Sequence, residues 1–301
     1  MISFILILVT SLFFTGVVIR TKSLASGRKG PGILQPMRDV LRLWKKGAVY
    51  SKTTSLIFRI APSIYISSVL MAMLMIPHGD HPGLLSFEGD FVMFAYLLAM
   101  GKFMMIISAL DTGSSFEGMG ASREALYSML AEPAFFVLIG SFALFTGDTS
   151  FHGIFSSLQY GSYISYMLGA LATFVFIFIA MIENSRMPVD DPKTHLELTM
   201  IHEVMVLDNS GFDLGLITYT SSLKFALYGA IISNFFIGLL PYPFSIPLFF
   251  AVQAGFAIAV GVIESFMARF RLGHNPQFIF MLTSISSLIF FGVLLVSGKF
   301  I

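Results

Sequence analysis

The sequence predicts an all-α integral membrane protein of about eight transmembrane helices, with its N-terminus outside and structured cytoplasmic loops. Three observations carry that reading. Hydrophobic residues make up 56% of the 301 and charged residues 12%, against roughly 25% charged in an average soluble domain. Mean hydropathy is +0.84. The apolar runs are long enough to cross a bilayer, and the Lys and Arg between them alternate in side. So little polar surface could not cover a soluble core, and a disordered chain needs the opposite composition. With a net charge of +1 and no cysteine, the chain offers no track for nucleic acid, no disulfide and no thiolate ligand of its own.

A hydrocarbon core of about 30 Å needs about 20 mostly apolar residues per helix. Met1–Ile19 and Ile60–Pro77 contain no charge. The next two runs hold one charge each, Lys102 in Phe91–Leu110 and Glu132 in Ala125–Thr146. Tyr163–Ile182 is uncharged. From Phe225 to Ile263 no charge occurs over 39 residues, too long for one span, and Pro241, Pro243 and Pro247 divide it. Two helices are expected there, Ser221–Leu240 and Ile246–Met267, followed by Phe278–Ser297. The first run lacks a positive leader and its basic residues follow it, so a retained helix is expected rather than a signal peptide.

Residues 20–59 carry ten Lys or Arg. Arg123, then Arg186, Lys193 and Lys224, then Arg269 and Arg271, bring one side to sixteen, while the opposite loops 77–90, 147–162 and 241–245 carry none. The positive-inside rule puts the four basic loops in the cytoplasm or its equivalent and both termini outside. The short outer loops leave no domain to catch a solute, and no matching pair of broken spans suggests a transporter repeat. The six histidines, His78, His81, His152, His195, His202 and His274, lie in loops or at their edges, which argues against a bilayer haem and reads as surface or loop histidines. His202-Glu203 begins no zincin motif, since Val206 stands where the second His belongs. No metal site and no catalytic residue is expected.

The single membrane domain, 1–301, is expected to carry two specialised inner loops, 20–59 and 183–224. In the first, Gly30-Pro31-Gly32 forces turns and Gln35-Pro36 opens a helix in which Met37, Val40, Leu41 and Trp44 recur at helical spacing. That is an interfacial amphipathic helix, either a plain anchor on anionic headgroups or a gateway beside a buried site. The second holds seven acids, Glu183, Asp190, Asp191, Glu197, Glu203, Asp208 and Asp213. Asp191-Pro192 reads as a cap for a helix from Pro192 to about Asp208, with Leu196, Met200, Glu203 and Leu207 on one face. Glu203 would then sit in an apolar stripe.

Lys102 lies nine residues from Asp111, and Glu132 eight from Glu124, at the inner ends of consecutive spans. Both are roughly 12–14 Å deep by that count. An isolated charge there costs at least about 2.5–3.5 kcal/mol, so a structural ion pair between them or a proton relay is expected.

The run Glu183-Asn184-Ser185-Arg186-Met187-Pro188-Val189-Asp190-Asp191-Pro192-Lys193-Thr194-His195-Leu196-Glu197-Leu198-Thr199-Met200-Ile201-His202-Glu203 resembles the membrane-anchor subunits of group 4 [NiFe] hydrogenases. That family includes the formate hydrogenlyase and hydrogenase-4 membrane subunits and is homologous to subunit 1 of respiratory complex I (NADH–quinone oxidoreductase). Gly30-Pro31-Gly32, Gln35-Pro36 and Asp39 match it, as do Glu264, Ala268-Arg269-Phe270-Arg271 and Pro276-Gln277. The resemblance covers essentially the whole chain. Complex I usually has Pro-Phe-Asp where this chain has Pro188-Val189-Asp190, which sides the sequence with the hydrogenases.

By resemblance, the chain is a non-catalytic coupling subunit with no redox centre or cofactor of its own. Fe–S clusters and a [NiFe] centre belong to large and small hydrogenase subunits seated on the cytoplasmic loops through Arg186, Asp190, Asp191, Arg269 and Arg271. Gly30, Pro31, Gly32, Gln35, Pro36 and Asp39 form the mouth of a chamber, which in the complex I branch holds a quinone. Glu132, Glu183, Glu197, Glu203, Asp208 and Glu264 belong to an acidic path toward antiporter-like membrane subunits; Lys102 joins them as the other ionisable group within a span. Membrane lipid surrounds the whole. The competing class is a stand-alone proton-coupled transporter.

Overall fold

The computed structural model describes residues 2–159, 163–191, 200–237 and 244–296. Lys193, His195, Leu196 and Glu197 lie outside the described residues. Helices α1 (Ile2–Ala25), α2 (Gln35–Trp44), α3 (Leu56–Met73), α4 (Asp90–Asp111), α5 (Ser115–Thr146) and α6 (Phe151–Gln159) are followed by α7 (Tyr163–Glu183) and the single turn α8 (His202–Met205). Then come α9 (Gly211–Ile237), α10 (Ser245–Phe266), a 3₁₀ turn Leu272–His274 and α11 (Asn275–Val296). No strand occurs among the described residues. Six helices, α1, α3, α4, α5, α10 and the segment Leu272–Val296, are long and apolar enough to cross a membrane. Helices α7 and α9 occupy the positions of the fifth and sixth expected runs.

The fold follows from burying small and aromatic side chains between helices. Helix α3 packs on α4, α11 on α5, and α1 on both α9 and α10. A ring lattice fills the centre: Phe94 stacks on Phe135 at 5.8 Å and meets Phe151 edge-on at 5.4 Å, and Phe155 meets Phe235 at 5.0 Å. Ser55 caps α3, its side chain accepting from the Ile57 amide, while Asp111 Oδ2 accepts the Ser55 amide at 2.7 Å.

Several boundaries differ from the sequence reading. Helix α5 begins at Ser115 rather than near Ala125, so Glu117, Arg123 and Glu124 stand on a helix and not in a loop. Helix α9 likewise begins at Gly211, ten residues before the expected start, so Lys224, counted from sequence with the loop cations at the edge of the span, lies more than three turns inside the helix and is fully buried. In both cases the amphiphilic turns pack against protein and continue the helix inward, where hydropathy alone sees a loop. The connection 147–162 contains helix α6.

The continuous helix expected from Pro192 to Asp208 does not form. Met200 and Ile201 are non-helical, α8 is one turn, and Leu207 is 56% exposed instead of sharing a buried face. The Asp190 carboxylate accepts the His202 amide at 3.0 Å and Arg123 donates to the Met200 carbonyl at 3.1 Å, so side chains take the backbone partners a helix would use.

The loop after α1 folds back along it. The place a Cβ would take on Gly16 is occupied by the Ile33 carbonyl, so only glycine admits this return. Trp44 at the end of α2 similarly lies against Gly215 of α9, 2.6 Å from a would-be Cβ, and meets Tyr219 edge-on at 5.5 Å.

Candidate functional site

At the inner half of the bundle, α4, α5, α7 and α9 each contribute one ionisable side chain to a buried chain of alternating sign. Lys102 Nζ lies 3.0 Å from Glu124 Oε1 and 3.0 Å from Glu183 Oε2. Lys224 Nζ lies 3.1 Å from the same Glu183 oxygen and donates to the Glu183 carbonyl at 2.9 Å. Ser185 donates to Glu124 Oε2 at 3.1 Å. Ser185 holds a positive φ of 49° just past the end of α7, which turns the chain so that its hydroxyl faces back into the cluster.

The expected Lys102–Glu132 pair is not formed. Glu132 is exposed on the side of α5, in a groove of about 540 Å³ shared with Tyr96, Met100, Phe103 and Met129. Lys102 turns instead to Glu124. Measured from the true helix ends, Lys102 is nine residues before Asp111 and Glu124 nine after Ser115, so these two share a depth. Glu132 is eight residues beyond Glu124, about two turns farther along α5 and rotated by roughly 80°.

Nearer the end of the bundle that carries the 183–191 and 267–274 segments, a second set of ion pairs ties the loops together. Glu264 on α10 receives Arg186 at 3.2 Å and Lys22 of α1 at 3.4 Å. Arg186 also lies over the Phe225 ring at 5.3 Å. Asp190, 1% exposed, accepts Arg269 Nη2 at 2.8 Å and the Asp191 amide at 2.9 Å. Burial pushes the Asp190 carboxyl above the usual carboxylate range, outweighing the pull of the His202 amide and Arg269. Burial also lowers His202, favouring the neutral imidazole.

These groups line adjacent spaces that share wall residues. A cavity of about 240 Å³ is walled by Thr15, Pro36, Met37 and Val40 on one side and Arg186, His202, Glu203 and Tyr219 on the other. Asn184, His202 and Ser221 pass from it into a narrow space shared with Tyr65, Lys102, Glu124 and Glu183. Lys102 and Glu183 then line a third space with Glu132 and Tyr228, and Lys102, Ser128 and Glu132 open to the lateral groove. The shared wall residues step from the loop cavity to the flank of the bundle.

Of the loop residues singled out from sequence, Glu203 is half-buried at the cavity wall, while Asp208 is exposed and meets Glu117 only through its backbone amide, at 3.1 Å. Pro36 lines the cavity; Gly30 takes Arg20 on its carbonyl at 2.8 Å; Pro31 and Gly32 are exposed; Asp39 stays on the outside of α2, bound to Gln35 and Arg42. Asp191 is half-buried and Arg271 exposed. Sequence reasoning passes over Glu124, placed at the end of a loop, Lys224, counted at the boundary of loop and span, and Tyr65. The signal available is their spacing from the next helix end, once that end is correctly placed. His78 lies in the connection between α3 and α4, as expected of a loop histidine, but is buried there at 2% exposed, with Nε2 at 3.2 Å from Ser245 Oγ.

The NADH dehydrogenase family model matches residues 1–295. The chain belongs to the NADH dehydrogenase subunit 1 family. It is 34% identical to hydrogenase-4 component C of Escherichia coli K12 over 220 residues, covering 73% of this chain and 68% of that one. It is 29% identical to formate hydrogenlyase subunit 4 of the same organism over 262 residues, 83% of each. Similarity extends to a subunit of the NADH-quinone oxidoreductase of Flavobacterium johnsoniae, 25% identical over 70% of this chain and 62% of that one. Among solved structures, a chain of the archaeal membrane-bound sulfane sulfur reductase superposes with a TM-score of 0.83 over 96% of both chains at 20% identity, which establishes a shared fold. Within this family the chain is homologous to hydrogenase-type and complex I membrane subunits alike. Val189, the residue separating the branches by sequence, is buried and does not line the 240 Å³ cavity.

Proposed function

We propose that this chain is the membrane-anchoring and coupling subunit of a group 4 hydrogenase-type complex in a prokaryotic cytoplasmic membrane. It crosses eight times with both termini outside. Its cytoplasmic loops, centred on Arg186, Asp190, Asp191, Arg269 and Arg271, seat the large and small hydrogenase subunits that carry the [NiFe] centre and Fe–S clusters. Its buried ionisable groups couple electron transfer there to proton or sodium movement toward antiporter-like membrane subunits. One observation carries this reading: buried ionisable side chains, Glu124, Lys102 and Glu183, stand between the cavity walled by Arg186, His202 and Glu203 and the groove that holds Glu132, a carboxylate exposed on the flank of a membrane helix. A carboxylate facing lipid is costly, and a neighbouring membrane subunit covering Glu132 removes that cost. Displacement of charge near Arg186 and Glu264 would then shift the proton affinities of coupled carboxylates further in.

Gentle detergent extraction tests the assembly: Fe–S chromophore should co-purify, and a colourless single chain would support a stand-alone transporter. In the assembled complex, Glu132→Gln should preserve subunit composition and electron transfer yet lower ions moved per electron. Unchanged coupling with Gln at this position would remove Glu132 from the path.

A second reading rests on the cavity itself. Leu12, Met37, Val40 and Ile217 supply an apolar lining and Arg186, His202 and Tyr219 polar groups, a donor set that fits a quinone headgroup and the start of its tail. Solvent extraction of the purified complex should release a quinone stoichiometrically under this reading, and Met37→Trp should displace it.

A further inference from the structure

Residues 20–59 hold ten of the eighteen Lys and Arg of a chain whose net charge is +1, with Asp39 as the one acid among them. Helix α2 divides this segment into two faces. Pro36, Met37 and Val40 wall the inner cavity. Arg38, Leu41, Arg42 and Lys45 recur three and four apart on the opposite side and are all exposed, followed by exposed Lys46. Asp39 is held by Gln35 at 2.8 Å and by Arg42 at 3.3 Å, so its charge is answered within the helix and the stripe stays positive.

The level of this stripe follows from α1. Ile33 returns to Gly16, nine residues short of Ala25, where α1 ends. At 1.5 Å per residue that is about 14 Å back along a helix roughly 36 Å long. Ile33 and Leu34, 43% exposed each, therefore reach the edge of the apolar layer just before α2 begins. Leu24, Leu41, Val49 and Leu56 are exposed among the basic residues. Exposed aliphatics interleaved with cations at this height suit a bilayer interface; an aqueous protein partner would have to descend below the membrane surface to cover Ile33 and Leu34.

We propose that the outward stripe of α2, Arg38, Leu41, Arg42 and Lys45 with Lys46, is a binding site for anionic phospholipid headgroups of the inner leaflet. The bound lipid holds α2 against α9, and thereby fixes one wall of the cavity. This goes beyond the coupling reading and does not depend on what the cavity contains.

The chain provides its own reporter. Trp44, the single tryptophan, closes α2 and packs on Gly215 and Tyr219. The full chain is reconstituted in phosphatidylcholine vesicles containing chain-brominated phosphatidylglycerol or, at equal mole fraction, chain-brominated phosphatidylcholine. Quenching of Trp44 should give at least about a fivefold preference for the anionic lipid, the size expected from even one basic residue near a charged surface. Combined Arg38→Gln, Arg42→Gln, Lys45→Gln and Lys46→Gln substitution should bring the preference close to one, with quenching by the zwitterionic lipid and the melting temperature unchanged. Equal quenching by both lipids in the unsubstituted chain would overturn the proposal. So would full suppression of the preference by millimolar glycerol phosphate, which would make the ligand a free phosphate. A quadruple variant that keeps its lipid preference but no longer binds the cytoplasmic subunits would assign the stripe to protein instead.

Discussion

Replacing Lys102 by Met removes the cation shared by two buried carboxylates. Glu183 would keep Lys224 at 3.1 Å, whereas Glu124 would be left with the Ser185 hydroxyl at 3.1 Å as its remaining partner in the cluster. Lys102 and Glu124 are 9% and 6% exposed at their side chains, so water does little to screen the loss. Breaking a buried pair in this way costs about 3–5 kcal/mol, because an uncompensated charge stays behind. Glu124→Gln in the same chain removes that charge and keeps the bond from Ser185, so the double variant should recover half or more of the loss. Glu132→Gln should recover none of it, since Glu132 is turned to the lateral groove. The assay is thermal or denaturant unfolding of the purified full chain, followed by size-exclusion recovery, for the single variants and both doubles. Rescue by Glu132→Gln without rescue by Glu124→Gln would refute the assignment of Lys102 to Glu124.

Gly16→Val should push the Ile33 carbonyl off α1, cost about 1–3 kcal/mol as an overpacked site, and shift Trp44 emission as α2 loosens; unchanged emission would dissociate the loop from α2. Arg269→Gln strips Asp190 of its cation and should cost about 1.5–3 kcal/mol, with faster hydrogen exchange over residues 184–191 and 200–209; exchange confined to residues 267–274 would contradict a shared restraint. His78 is pushed down to about 4 by burial, below its ordinary 6.5. The unfolded chain therefore takes up a proton between these values that the folded one refuses, and stability should fall as pH drops from 6.5 toward 4, by on the order of 3 kcal/mol. His78→Gln should flatten that slope in pH-dependent melting, and an equal slope in both proteins would assign the effect elsewhere.

Much of this architecture is readable in the sequence because each apolar run must satisfy its backbone internally, which leaves helices as the available form. The cluster is less legible for a definite reason. Hydropathy marks where a helix enters lipid, not where it stops being helical, so α5 and α9 look about ten residues too short at their starts, Glu124 looks like loop and Lys224 looks like the edge of a span. Depth counted from the wrong end then matches Lys102 with Glu132. Depth also says nothing of rotation, and it is the azimuth on α5 that sends Glu132 outward. The failed helix before Asp208 has another origin. Propensity favours it, but Asp190 and Arg123 compete for its amide and carbonyl groups, and these lie 12 and 77 residues away in the chain.

The Phe270 amide donates to the Pro188 carbonyl at 2.9 Å, and Asn275 Nδ2 donates to the Val189 carbonyl at 3.2 Å and to Tyr127 Oη at 3.3 Å. One backbone-to-backbone bond and the Asn275 side chain fix the separation of these two segments, without drawing on any acid or base. A chimera that imports the third inner loop from a relative must therefore import the last one as well, or match its length to the residue. Grafts that respect this constraint should transplant the two segments as a folded unit, and grafts that cut between them should lose stability even when every acid and base has been retained.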